Sequence, residues 1–272
     1  MKLPGPGPGD WTPVTTGESG AAVFRSADGT RYAKSVSAAD GTGATGTTGT
    51  VAELAAERDR VTWLAGQGVP GPRVLDWYAD ATGARLVTTA VAGVPADRLP
   101  PEDLRACWGR IAEAVRALHA LPAARCPYRW DLDTVMALAR DVVARGAVHP
   151  EFLPEEQQGT PPEELLARLE PQLPRRRKEA ADDTVVCHGD LTLPNVVLDP
   201  DTGNVAGFID LGRLGLADRH TDLALLFAHA RETWPDEAEA RARDADFAAG
   251  YGAAPDPDRL RFYLHLDPLT WG

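Results

Sequence analysis

Val185-Val186-Cys187-His188-Gly189-Asp190-Leu191-Thr192-Leu193-Pro194-Asn195-Val196-Val197-Leu198-Asp199, continued through Val205 to Asp210-Leu211-Gly212-Arg213, reads as strand, loop, strand, tight turn, strand, loop. The runs 185–187, 196–198 and 208–209 are short, apolar and rich in branched residues, as buried strands are. Asp201-Thr202-Gly203-Asn204 supplies the reversal between the second and third, where Gly203 and Asn204 tolerate positive φ. Asp190, Asn195 and Asp210 stand where the apolar runs break. A hairpin there is expected to return Asp210 beside Asn195, with Asp190 facing both across the loop.

That spacing suits phosphoryl transfer, which needs little covalent help from a protein. It needs a carboxylate to orient and deprotonate the attacking hydroxyl, and oxygen ligands to hold magnesium against the phosphates. Asp190 is the candidate base; Asn195 and Asp210 are the candidate metal ligands, one neutral and one charged oxygen donor. Each residue alone reads as an ordinary turn former. The spacing of all three on a strand–loop–strand background is what points to chemistry. Asp199 reads as the start of the hairpin turn.

The pattern His188-Gly189-Asp190 with Asn195 five residues on, followed by Ile209-Asp210-Leu211-Gly212-Arg213, resembles the aminoglycoside phosphotransferases, which share the protein-kinase fold. Within them it is most similar to the streptomycin 3''-kinase branch. Gly17-Glu18-Ser19-Gly20, Ala56 to Arg60, Asp210 to Arg219 and Leu266 to Gly272 extend the resemblance over nearly the whole chain. It implies an α+β, protein-kinase-like two-lobed fold: a small N-terminal antiparallel sheet lobe with one main helix (1–92) and a larger, mainly helical C-terminal lobe (93–272). It also implies ATP and Mg2+ bound between the lobes and an aminoglycoside hydroxyl as acceptor, most closely the 3''-hydroxyl of streptomycin. The rival readings are a kanamycin/neomycin 3'-kinase, a choline-type kinase, and a silent nucleotide-binding scaffold. The stretch from Asp210 to Asp218 is too short for the activation loop of a protein kinase.

Composition is consistent with this. The 272 residues can form one large domain or two modest lobes. Against 28 basic residues stand 40 acidic ones, a net charge of −12. That disfavours nucleic acid and suits a cationic small molecule or simple solubility. No stretch reaches the length of a membrane span, and Met1 to Asp10 alternates Pro and Gly without the apolar core of a secretory signal. Cys107, Cys126 and Cys187 show no metal-like spacing. A cytoplasmic, monomeric enzyme is the expectation.

Along the chain, Trp11–Val14 and 21–25 read as strands around a Gly-bearing turn where Ser19 can cover phosphates. Lys34 closes a third strand, where the resemblance places the phosphate-gripping lysine. Residues 38–50 are a Gly/Thr-rich connector. A helix follows from Val51, and Glu57 on it is by resemblance the partner of Lys34, with Glu53 the alternative. Strands at 74–78 and 85–89 lead to a hinge, where Ala90 or Val91 is expected to meet the adenine edge. Helices are expected at 102–118, 132–144, 163–173, 235–251 and 258–266, with Asp218 and Asp222 opening another and Asp222 bracing the catalytic loop. Trp108 and His119 read as core, and Arg175 to Lys178 as a solvated helix end. Arg213 either neutralises charge on the transferring phosphoryl group or serves as a structural partner of Asp190. The resemblance assigns Glu155, Glu156, Asp267, Trp271 and the carboxylate of Gly272 to the cationic acceptor; for Glu155 and Glu156 a solvated loop is the competing reading.

Overall fold

The computed structural model describes residues 11–14, 21–37 and 49–272, so Ser19 and residues 38–48 of the connector lie outside the described residues. The chain divides into two compact units, 1–94 with 197–212 and 95–196 with 213–272.

The first unit begins with β1 (Trp11–Val14), β2 (Ala22–Ser26) and β3 (Arg31–Ser37), followed by α1 (Val51–Gly66), β4 (Val74–Asp80) and β5 (Gly83–Thr89). The strands form one antiparallel sheet in the order β1-β2-β3-β5-β4. α1 starts where Thr50 and Glu53 cap it reciprocally, each side chain bonding the other's backbone N–H. Its inner side places Leu54 with Val36, Ala84 and Leu86 in the core of this unit. A short strand, β6 (Val94–Pro95), ends this run.

The second unit opens with α2 (Pro101–His119) and α3 (Leu132–Ala144). Apolar steps of three and four along α2 bury Leu104, Trp108, Ile111, Val115 and Leu118. Where one helix is expected at 163–173, there are two, α4 (Pro162–Leu169) and α5 (Leu173–Asp183), joined by a 3₁₀ turn over Glu170–Gln172. Pro171 and Pro174 lack the N–H groups an unbroken helix would use there. The basic run 175–178 therefore lies inside a helix. Arg176 is buried and bonds Asp258 at 2.7 Å and Glu179 at 2.9 Å, whereas a solvated helix end is the expectation from sequence.

β7 (Thr184–Cys187) leads into the loop bearing Asp190 and Asn195. The hairpin of β8 (Val196–Leu198) and β9 (Val205–Phe208) follows, its turn closed by Asp199, whose side chain accepts from the N–H groups of Asp201 and Thr202. β10 (Gly215–Asp218) pairs antiparallel with β7. Asp218 ends this strand instead of opening the next helix. Its carboxylate accepts from the His220 N–H and ring, at the start of the next helix, and from Arg259 and Tyr263 farther along the chain. α6 (His220–Arg231), α7 (Glu237–Tyr251) and α8 (Pro257–Leu266) complete the unit. Trp108 packs on Phe227, Trp234 and Phe247 and donates its indole N–H to the Arg243 carbonyl. Among the described residues no helix is long and apolar enough to cross a membrane.

Candidate active site

Two polar clusters are built, one in each unit. In the first unit, side chains two apart on a strand share a face, so Lys34 projects on the side of β3 where Val36 meets Leu54. Glu57 lies three residues beyond Leu54, on the same side of α1. Lys34 Nζ reaches Glu57 Oε1 at 2.7 Å and Asp210 Oδ1 at 2.9 Å. Glu53, the alternative partner, is committed to the cap of α1. Burial works against the Lys34 charge, but the Asp210 and Glu57 carboxylates outweigh it and hold the ammonium above its ordinary range. Burial raises the Glu57 carboxyl, with Lys34 opposing. Asp210 alone among the described non-glycine residues has positive φ, at 59°. That left-handed region is sparsely populated, and Asp adopts it more readily than most residues. Its side chain is 40% exposed, within reach of a ligand. At the end of β5, the Ala90 N–H donates to the Thr30 carbonyl at 2.7 Å.

In the second unit, the catalytic loop hangs from one buried carboxylate. Asp222 accepts from the His188 N–H at 2.7 Å and the Gly189 N–H at 2.8 Å, and its Oδ2 meets His119 Nε2 at 3.0 Å. His119 in turn meets the Tyr251 hydroxyl, which makes it a satisfied core histidine. Gly189 has φ +83°, and a Cβ there would lie 2.2 Å from the Arg213 carbonyl oxygen. Only glycine fits this turn. His188 Nδ1 accepts from the Asp190 N–H at 3.2 Å, and Asn195 Nδ2 donates to the Asp190 carbonyl at 2.8 Å and to its Oδ2 at 3.0 Å. Asn195 therefore orients Asp190 through its amide nitrogen, and its Oδ1 is the atom suited to a metal. An amide oxygen such as this, and a carboxylate such as that of Asp210, are each hard oxygen donors of the kind Mg2+ takes, with waters and phosphate oxygens as its other ligands.

The residues assigned to the acceptor fall in two places. Glu156, on a 3₁₀ turn over Glu155–Gln157, bonds His265 and Arg261, and the His265 hydrogen bond holds its carboxyl below the ordinary range. It lines a cavity of about 350 Å³ with α4 and α8 residues; Glu155 is exposed beside it. Asp267 and Trp271 meet Arg213. Arg213 Nη1 reaches Asp267 Oδ1 at 3.2 Å and Thr270 Oγ1 at 3.0 Å, and Trp271 Nε1 donates to Asp267 Oδ2 at 3.0 Å. The guanidinium is thus occupied by residues 267–271. Burial raises the Asp267 carboxyl, with Arg213 and Trp271 opposing. A Cβ on Gly272 would lie 2.5 Å from the Ala147 carbonyl oxygen, so this residue is seated against the end of α3. Sequence reading missed Trp130, whose ring lies against Arg213. No local pattern marks it.

Residues 10–263 match the model of the "Phosphotransferase enzyme family". The chain is 68% identical to streptomycin 3''-kinase of Streptomyces griseus, over 97% of this chain and 93% of that one. It is 42% identical to an aminoglycoside 3'-phosphotransferase of Streptomyces fradiae, over 95% and 94%. Among solved structures, aminoglycoside phosphotransferase APH(3'')-Id from Streptomyces rimosus superposes with a TM-score of 0.90 at 60% identity, covering 98% of this chain and 94% of that one. The same enzyme in complex with ADP and streptomycin gives a TM-score of 0.88, covering 96% and 93%.

Proposed function

We propose, from the premise that this chain belongs to the phosphotransferase enzyme family, that it transfers the γ-phosphoryl group of ATP to the 3''-hydroxyl of streptomycin. The observation that carries this reading is the 68% identity to a streptomycin 3''-kinase over 97% of the chain, against 42% to a 3'-phosphotransferase. The arrangement of polar groups in each unit supports it chemically.

Asp190, oriented by Asn195, takes the proton of the attacking hydroxyl as it closes on the γ-phosphorus. Asn195 Oδ1 and the Asp210 carboxylate would hold Mg2+, which supplies charge neutralisation on the phosphates. Lys34, kept cationic and aimed by Glu57, grips the α- and β-phosphates. The hinge at Ala90 and Val91 receives the adenine edge. Glu155, Glu156, Asp267, Trp271 and the Gly272 carboxylate face the cationic acceptor. An acidic chain, at −12, favours accumulation of that acceptor.

The test is incubation of the purified chain with Mg-ATP and a panel of aminoglycosides, with mass spectrometry and NMR of the products. The expected result is one added phosphoryl group at the 3''-oxygen of streptomycin and none on kanamycin. Phosphorylation of kanamycin with streptomycin untouched would reverse the assignment.

A further inference from the structure

Trp130 takes no part in the proposed transfer, yet its backbone is tied to β10. Its N–H donates to the Leu216 carbonyl at 3.0 Å, and the Leu216 N–H donates back to the Tyr128 carbonyl at 2.9 Å. This pairing fastens the chain before α3 to β10, two residues beyond Arg213. The backbone of Gly215 packs so closely on Arg129 and Trp130 that a Cβ there would lie 2.8 Å from the Arg129 carbonyl carbon. The indole is therefore presented from a rigid scaffold.

It is presented to Arg213. The guanidinium carbon lies 5.0 Å from the Trp130 ring centroid and 3.6 Å from that of Trp271. A guanidinium on aromatic faces is attracted by their negative π surface, more so when water is excluded. The same guanidinium bonds Asp267 and both the hydroxyl and the carbonyl of Thr270. Thr270 Oγ1 also donates to the Asp267 carbonyl. On its other side Arg213 abuts Gly189, the residue before Asp190. One residue thus touches the turn that aims the catalytic carboxylate, and it grips the segment 267–271 by charge, hydrogen bond and ring.

We propose that Arg213 and Trp130 are positioning residues for acceptor recognition: they clamp the segment 267–272 in fixed register with the Asp190 loop. This gives Arg213 a role other than neutralising the transferring phosphoryl group, and it rests on the reading that the acceptor meets the segment 267–272.

The experiment is Trp130→Leu in the full chain, with Trp130→Phe as the variant that keeps a ring. Steady-state kinetics are combined with amide hydrogen exchange of the peptide covering 267–272. Trp130→Leu is expected to raise KM for streptomycin roughly three- to thirtyfold, the span a cation–π contact covers, with kcat and KM for ATP within about twofold of wild type. Exchange in 267–272 is expected to quicken, and Trp130→Phe to restore most of both. Unchanged exchange with unchanged streptomycin KM overturns the clamp; so does a parallel loss in kcat and both KM values, which marks a merely structural residue. A wild-type chain that leaves streptomycin unmodified refutes the functional reading instead, and the exchange measurement alone then decides the clamp. Should Trp130→Leu fail to fold, Arg213→Lys, which keeps the charge without the planar stack, receives the same exchange measurement with the same two outcomes.

Discussion

Asp190 sits at the end of a chain of supports in which each bond has one purpose. Asp222 holds the two preceding N–H groups, His188 takes the Asp190 N–H, and Asn195 fixes the carboxylate. Replacing Asp190 by Ala removes the proton acceptor and one bond to Asn195, which keeps its bond to the Asp190 carbonyl. The expected outcome is a fall in kcat of about 10²–10⁴, the usual worth of general base catalysis, with ADP affinity unchanged by calorimetry. Near-normal turnover would remove Asp190 from the chemistry. At this scale the sequence was informative wherever a residue sat in a spaced motif. Lys34 and Glu57 meet across twenty-three positions because strand and helix periodicity each fix a face. Trp130 stayed invisible because its meaning lies in Arg213, far along the chain, and an isolated indole before a helix carries no pattern.

Helices and strands were legible where apolar spacing was regular, as in α2 and α3, and illegible where polar groups set the limits. The stretch 163–183 carries the prolines that divide α4 from α5, yet its buried Arg176 reads locally as one more surface charge. β10 hid because Gly215–Asp218 is short and its partner β7 is distant in sequence. Two predictions belong to these elements. Asp222, at the start of α6, accepts two backbone bonds from the loop after β7, so Asp222→Ala strands two buried N–H groups. It should lower unfolding free energy in urea by about 3–5 kcal/mol and lower kcat as well. A stability loss without loss of turnover would show that the loop does not depend on this brace. At the end of β10, burial disfavours the Asp218 charge, but hydrogen bonds from His220 and Arg259 overcome this and hold its carboxyl below the ordinary range. The unfolded chain therefore binds this proton more tightly. The stability Asp218 contributes is complete above the unfolded value of about 3.9 and is lost as pH falls through the folded one. Asp218→Asn should flatten the acid limb of a stability-versus-pH curve; an unaltered limb would place the acid sensitivity elsewhere.

For the whole molecule, charge and chain path matter more than any single contact. A net charge of −12 draws a polycation from solution, and salt weakens that attraction over a Debye length of about 8 Å at physiological ionic strength. KM for streptomycin should therefore climb severalfold between 0.05 and 0.5 M potassium chloride (about a tenfold range of ionic strength) while kcat holds. A flat profile would mean that recognition is carried by neutral contacts. The sequence changes to helical character from Glu102, whereas the grouping of 197–212 with 1–94 depends on contacts made at long range.

That grouping has a consequence for biosynthesis. The smaller unit is stitched from two separate lengths of polypeptide, and its second length leaves the ribosome only after about a hundred further residues have been translated. At ~5–20 residues per second, its sheet waits on the order of ten seconds for the hairpin that carries Asp210. During that interval the nascent unit lacks its last piece, so a chaperone or ligand that shelters it would raise the yield of active enzyme.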